Sequence, residues 1–224
     1  MFVSWTTSLF ILGTRRRDAR GHRERRRLRK DIIVAGGSAG AVEALSVLVE
    51  GLPHDLDAAV LAVIHVPPQS PGHLAAILQR RTVLRVSWAQ DDGAIESGHV
   101  YVAPPDRHLI VEDGRMRLTQ AQPEHHNRPA IDPLFRSAAL AYGPRAIAVV
   151  LSGRLDDGTA GLHTVKQLGG TAVVQDPDDA LHPDMPRNAL AGTAVDHIVP
   201  AGELGALLGR LVAESPDEVA PRSV

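Results

Sequence analysis

Two apolar rhythms alternate along this chain. Short unbroken runs recur at 31–36 (DIIVAG), 58–65 (AAVLAVIH), 84–89, 145–151 (RAIAVVL), 171–175 and 197–199. Runs of this length, closed by glycine or a polar residue, predict strands buried on both faces. Between them the apolar residues take helical spacing. Val42, Leu45, Val49 and Leu52 mark one helix over 42–52. Further helices are predicted over 71–81, with proline near the start, and over 132–142, 159–168, 186–191 and 202–212. Gly169-Gly170 caps the 159–168 helix. Such alternation predicts an α/β fold, a doubly wound, mostly parallel sheet with helices on both faces.

The middle of the chain breaks this rhythm. Segments 98–103 (GHVYVA) and 108–112 (HLIVE) read as short strands, and Asp113-Gly114 before 115–119 is a two-residue hairpin signal. An antiparallel hairpin insertion is therefore expected. No internal repeat or low-complexity linker divides 31–212, which reads as one domain.

The two ends differ from this body. Residues 1–30 hold ten Arg/Lys against two Asp/Glu, a charge of +8, while the whole chain carries -2. They read as a basic, disordered extension, and 213–224 as a frayed tail. The apolar stretch 1–14 has no basic residue before it, so it does not fit a secretory signal, and it is too short to span a bilayer. Residues 31–224 carry -10, which argues against a nucleic-acid groove, and aromatics at 3% leave few stacking platforms. The absence of cysteine removes thiol catalysis and Cys-ligated zinc.

In a parallel sheet, ligands gather at the carboxyl ends of the strands. Three polar residues stand there: Ser38 after the first strand, within Gly36-Gly37-Ser38-Ala39-Gly40; His65, closing the second; and Asp157, after the 145–151 strand. A serine hydroxyl needs a base to become a nucleophile, imidazole is the usual one, and a carboxylate fixes its tautomer. Backbone N–H groups in the turn after Ser38, Ala39 among them, are candidate oxyanion donors. Each residue also has a plainer reading. Ser38 could be a helix cap, His65 a polar strand end and Asp157-Gly158 a turn.

The rival for the first motif is dinucleotide binding. Its fingerprint aligns best on Ala35, Gly37 and Gly40, which lacks the first glycine. His65 stands where an acid would bind the ribose, a second miss. No cofactor is expected. Nor is a metal: adjacent His125-His126 do not share one face and read as a solvated loop, with no carboxylate-rich pattern beside them.

At these residues the chain resembles the catalytic domain of the chemotaxis (CheB-type) protein-glutamate methylesterases. The nucleophile loop is Ile33-Val34-Ala35-Gly36-Gly37-Ser38-Ala39-Gly40, and the histidine strand is Val63-Ile64-His65-Val66-Pro67. The series continues through 98–106, then Arg128-Pro129-Ala130-Ile131-Asp132-Pro133-Leu134-Phe135, then Asp156-Asp157-Gly158. Gln175-Asp176-Pro177 and Met185-Pro186 follow in the C-terminal third. The resemblance implies a cytoplasmic enzyme that hydrolyses glutamyl methyl esters on chemoreceptors, with glutamine deamidation in some members. It makes Ser38 nucleophile, His65 base and Asp157 acid, with the backbone of Ala39 and Arg154 at the oxyanion and Arg128 near substrate.

Two departures stand out. Relatives often read Gly-Met-Gly before the acid pair, where this chain has Gly153-Arg154-Leu155. A non-catalytic signalling or binding module of the same fold is the alternative that this departure keeps open. The usual members also begin with a receiver domain, which thirty Arg-rich residues do not make, so a stand-alone form is expected.

Overall fold

The computed structural model describes residues 29–70 and 72–214. The expected basic extension, apart from Arg29 and Lys30, and the tail beyond Glu214 lie outside the described residues, as does Pro71.

Seven strands form one sheet: β1 (Ile32–Gly37), β2 (Ala59–Ile64), β3 (Arg85–Trp88), β4 (His99–Val102), β7 (Ala146–Val150), β8 (Thr171–Gln175) and β9 (His197–Val199). Their order is β3-β4-β2-β1-β7-β8-β9, and every neighbouring pair is parallel. A separate antiparallel hairpin joins β5 (His108–Glu112) to β6 (Arg115–Thr119). Its turn is Asp113-Gly114, both at positive φ, as the Asp-Gly signal requires. β4 departs from expectation. It was grouped with the hairpin, yet it lies in the main sheet between β2 and β3. That pairing is non-local, so no turn residue signals it.

Among the described residues, six helices cover the sheet: α1 (Ala41–Glu50), α2 (Leu74–Gln79), α3 (Ile131–Tyr142), α4 (Thr159–Gln167), α5 (Asp184–Gly192) and α6 (Ala201–Ala213). α2 is shorter than its apolar spacing suggests, and a 3-10 turn at Gly143–Arg145 joins α3 to β7. All residues of β1, β2, β7 and β8 are buried, which explains their continuous apolar text. Odd and even positions feed different cores. Ile33 and Ala35 face the layer of α1, α2 and α6, with Leu45, Leu48, Leu204 and Leu208. Ile32 and Val34 face the layer of the hairpin, α3, α4 and α5, with Phe135, Leu162 and Met185. Each such large side chain contributes about 1.5–3 kcal/mol by leaving water.

The sequence progresses outward from β1 in both directions, toward β2 on one side and toward β7, β8 and β9 on the other. That makes the β2-β1-β7 carboxyl edge a switch point where a crevice opens. Gly161 sets how closely α3 and α4 meet there. A Cβ on it would come within 2.5 Å of Phe135 Cβ and 3.0 Å of Asp132 Oδ1. The missing side chain lets the Gly161 N–H reach the Asp132 carboxylate.

Candidate active site

Strand register brings the first two candidates side by side. Gly37 pairs with Ile64 and Gly36 with Val150. One residue further on, Ser38 stands between His65 and Ser152. The His65 N–H donates to the Gly37 carbonyl at 3.1 Å and the Ser38 N–H to the Ser152 carbonyl at 3.0 Å, so the pairing continues past the strand ends. Gly40 then takes φ 78 and turns the chain into α1.

Asp157 arrives from the β7–α4 loop, and its side chain is 1% exposed. His65 Nε2 lies 2.8 Å from its Oδ2. The same oxygen accepts the Ile131 N–H at 2.8 Å, and Oδ1 accepts the Asp132 N–H at 3.0 Å. These are the first N–H groups of α3, whose N-cap residue Ala130 has no capping side chain. Asp157 therefore caps α3 from another element and sits at its positive end. Burial pushes this carboxyl up, but the bonds from His65, Ile131 and Asp132 outweigh it and hold Asp157 below the usual carboxylate range. With Nε2 turned to Asp157, Nδ1 is the ring nitrogen of His65 left for Ser38. Among the described residues, Ser38 Oγ has no hydrogen-bond partner.

The two candidate oxyanion donors flank this point. Among the described residues, neither the Ala39 nor the Arg154 N–H donates to a protein acceptor. Gly153 brings the second loop in. A Cβ there would lie 3.1 Å from Ser38 Cβ and 2.7 Å from Met185 Sδ, so only glycine lets the 153–157 loop pass over the serine. Leu155 departs from the family's glycine while keeping φ at 64, and its side chain is exposed. A left-handed backbone costs a branched residue about 1–2 kcal/mol, partly offset by the greater flexibility of unfolded glycine. Leu155→Gly is expected to raise stability by about 1 kcal/mol, read from urea unfolding; no change or a loss would mean that the loop is not strained.

Ser152 was not singled out by the sequence. It is buried, its Oγ donates to the Ala39 carbonyl at 2.8 Å and accepts the His182 N–H at 3.0 Å, and its own N–H goes to Gln175 Oε1. It ties the serine turn to β8 and the loop after it. The only signal was its place directly after the 145–151 run.

Arg128 lines a cleft of about 370 Å³ together with His65, Pro67, Pro68 and His126. Its guanidinium is already engaged. Nε and one terminal nitrogen hold Asp106 Oδ1 at 2.9 and 2.6 Å, and the other reaches the Gln120 and Ala121 carbonyls. The residue expected near substrate thus lies in the cleft and also braces the hairpin region against the loop before α3. The Arg154 side chain is exposed.

Both residues of the His125-His126 loop are exposed, in keeping with its reading as solvated, yet each ring also meets the site. His126 lines the cleft, and His125 turns inward. His125 Nε2 lies 3.1 Å from Asp132 Oδ2 and 4.0 Å from Asp157 Oδ1, and its Nδ1 lies 3.5 Å from Asp156. Donor atoms of His125, Asp132 and Asp157 come within 4.8 Å of one another, a spacing that a metal could use. Each carboxylate is already hydrogen-bonded inside the protein, to Gly161, Ile131, Asp132 or a histidine. The group reads as a histidine–carboxylate network.

Comparison with known proteins accords with this geometry. The family model for CheB methylesterase matches residues 33–208. A Leptospira interrogans protein, provisionally named a protein-glutamate methylesterase/protein-glutamine glutaminase, is 36% identical over 81% of this chain and 94% of its own length. A Nocardioides protein of that name is 38% identical over 84% of this chain but 52% of its own, so this chain spans about half of that relative. The crystal structure of the Thermotoga maritima CheB methylesterase catalytic domain superposes with a TM-score of 0.78 at 32% identity, covering 81% of this chain and 98% of that one. Matched in sequence from β1 into α6, and in fold across both sheets, the chain belongs to the CheB methylesterase family.

Proposed function

We propose that this protein is a serine esterase that hydrolyses glutamyl methyl esters on a chemoreceptor or a similar methylated sensory protein. The observation that carries the reading is the buried Asp157, ionised and tied to His65 Nε2 beside Ser38. Ser38 Oγ gives its proton to His65 Nδ1 and attacks the γ-carbonyl. The N–H groups of Ala39 and Arg154 hold the oxyanion. Methanol leaves with the proton from His65, and water, deprotonated by the same ring, releases glutamate and free Ser38. Asp157 stays ionised and stabilises the imidazolium in both halves. A glutamine side chain would follow the same path with ammonia leaving, which is what the relatives' second name describes.

No resident metal or cofactor is required. Among the described residues, no helix is long and apolar enough to cross a membrane. The reading carries a cytoplasmic location with it. Chemoreceptor helices would reach Ser38 across the cleft that His65, Pro67 and Pro68 line. A fluorophosphonate probe is expected to add once, at Ser38, by intact mass and peptide mapping, and not to label Ser38→Ala. Labelling of another residue, or none at all, would overturn the nucleophile assignment.

A further inference from the structure

His125 sits on the far side of Asp157 from His65, and nothing in the reaction above uses it. Its loop is built with care. His125 and His126 take φ of 50 and 62, two left-handed residues in succession. Such a backbone persists only where its surroundings hold it. Here Glu124 is gripped by Arg136 through both carboxylate oxygens, at 2.8 and 2.7 Å. Glu124 and Asn127 exchange backbone hydrogen bonds, and Asn127 Nδ2 donates to the His125 carbonyl at 2.6 Å. The result is a fixed turn that lays one imidazole on the carboxylates behind the triad.

Those carboxylates face each other at close range. Asp132 is 2% exposed, and its own N–H donates to Asp157. Burial, with Asp157 alongside, pushes the Asp132 carboxyl above its ordinary value, so keeping both groups ionised needs a nearby cation. Arg136 is 3.9 Å from Asp132 but is committed to Glu124. Asp156 adds a third carboxylate at the edge, and His163, bonded to Gln167, lines the same hollow. His125 is the group that reaches all three acids. Burial would push its imidazole down; Asp157, Asp132 and Asp156 outweigh that and raise it above its ordinary value.

We propose that His125 is a positioning residue for the esterase: as an imidazolium it neutralises the Asp132–Asp157 pair from behind and so limits the negative field that His65 feels. This rests on the triad reading above. A base must be neutral to act, so anything that raises the His65 pKa removes activity at low pH. With His125 charged, the field of the two carboxylates at the His65 ring is partly cancelled. His125→Gln keeps a polar side chain of similar reach and removes the charge.

The test is a paired titration. In His125→Gln, the acid limb of the kcat/KM profile for an ester substrate is expected to move up by about 0.5–1 pH unit, with the high-pH plateau within about threefold of wild type. The His65 imidazole, followed by NMR in a Ser38→Ala background, should titrate higher by the same amount. A lower plateau with an unmoved limb and an unmoved His65 titration would make His125 merely structural and overturn the proposal. The NMR arm needs no turnover. A silent enzyme with a shifted His65 would sink the esterase reading and keep the electrostatic link, and an active enzyme with an unshifted His65 would do the reverse. If His125→Gln does not fold, the wild-type resonances decide. His125 and His65 must then show mutually biphasic titrations, and independent single steps would refute the link.

Discussion

Asp157→Ala is expected to abolish hydrolysis and to destabilise the domain together. The carboxylate holds His65 and also accepts the Ile131 and Asp132 N–H groups that open α3. Removing it strands two buried donors, each costing about 1–3 kcal/mol, so a loss of about 2–4 kcal/mol is expected after relaxation. Turnover should fall by about 10⁴-fold, as for other triads that lose their acid. Asp157→Asn separates the two roles. Its amide oxygen retains one of the two acceptors for α3, so the loss of stability should be smaller than in the alanine variant, while the lost charge and altered tautomer leave activity near that of the alanine variant.

The acid side gives a further check. Asp157 lies below its ordinary value in the folded state. Its contribution is therefore complete above about pH 4 and is lost as pH falls through the folded value. Urea unfolding of wild type and Asp157→Asn between pH 7 and pH 3 should converge on acidification. Parallel curves would show that the carboxylate is not ionised in the fold.

Ser38→Ala is expected to remove activity and leave stability alone. Among the described residues the Ser38 side chain makes no hydrogen bond, and the turn is held by its backbone, by Ser152 and by Gly40. Loss of a hydroxyl that bonds to nothing should change unfolding by less than about 0.5 kcal/mol. Hydrolysis of an activated ester should fall by 10³-fold or more, leaving the residual rate that an oxyanion site alone supports. A stable variant with near-normal turnover would mean that Ser38 is a turn residue and the chemistry lies elsewhere.

The strand ends were legible because their cause is local. An apolar run buried on both faces must stop where polar text begins, and in a parallel sheet these stops share one edge, which is why Ser38, His65 and Asp157 could be grouped before any coordinates. The supporting residues were not legible, because their partners lie far away in sequence. Ser152 works on Ala39, Asp132 on Gly161, and His125 on Asp132 and Asp157. Nothing near His125-His126 in the text says that one ring faces solvent and its neighbour faces buried acid. The ion pair of Arg128 was hidden for the same reason: Asp106, 22 residues earlier, is its counter-ion. β4 was misgrouped because the neighbouring Asp113-Gly114 hairpin supplied a strong local signal, and its true partners β2 and β3 supplied none.

Methanol release from a methylated chemoreceptor is the most direct measurement. Purified chain at catalytic concentration should release methanol in proportion to time and enzyme, and Ser38→Ala at the same concentration should release none above the uncatalysed rate. A wild type that takes the phosphonate at Ser38 yet liberates no methanol from the receptor would contradict the assignment of a glutamyl methyl ester as its substrate.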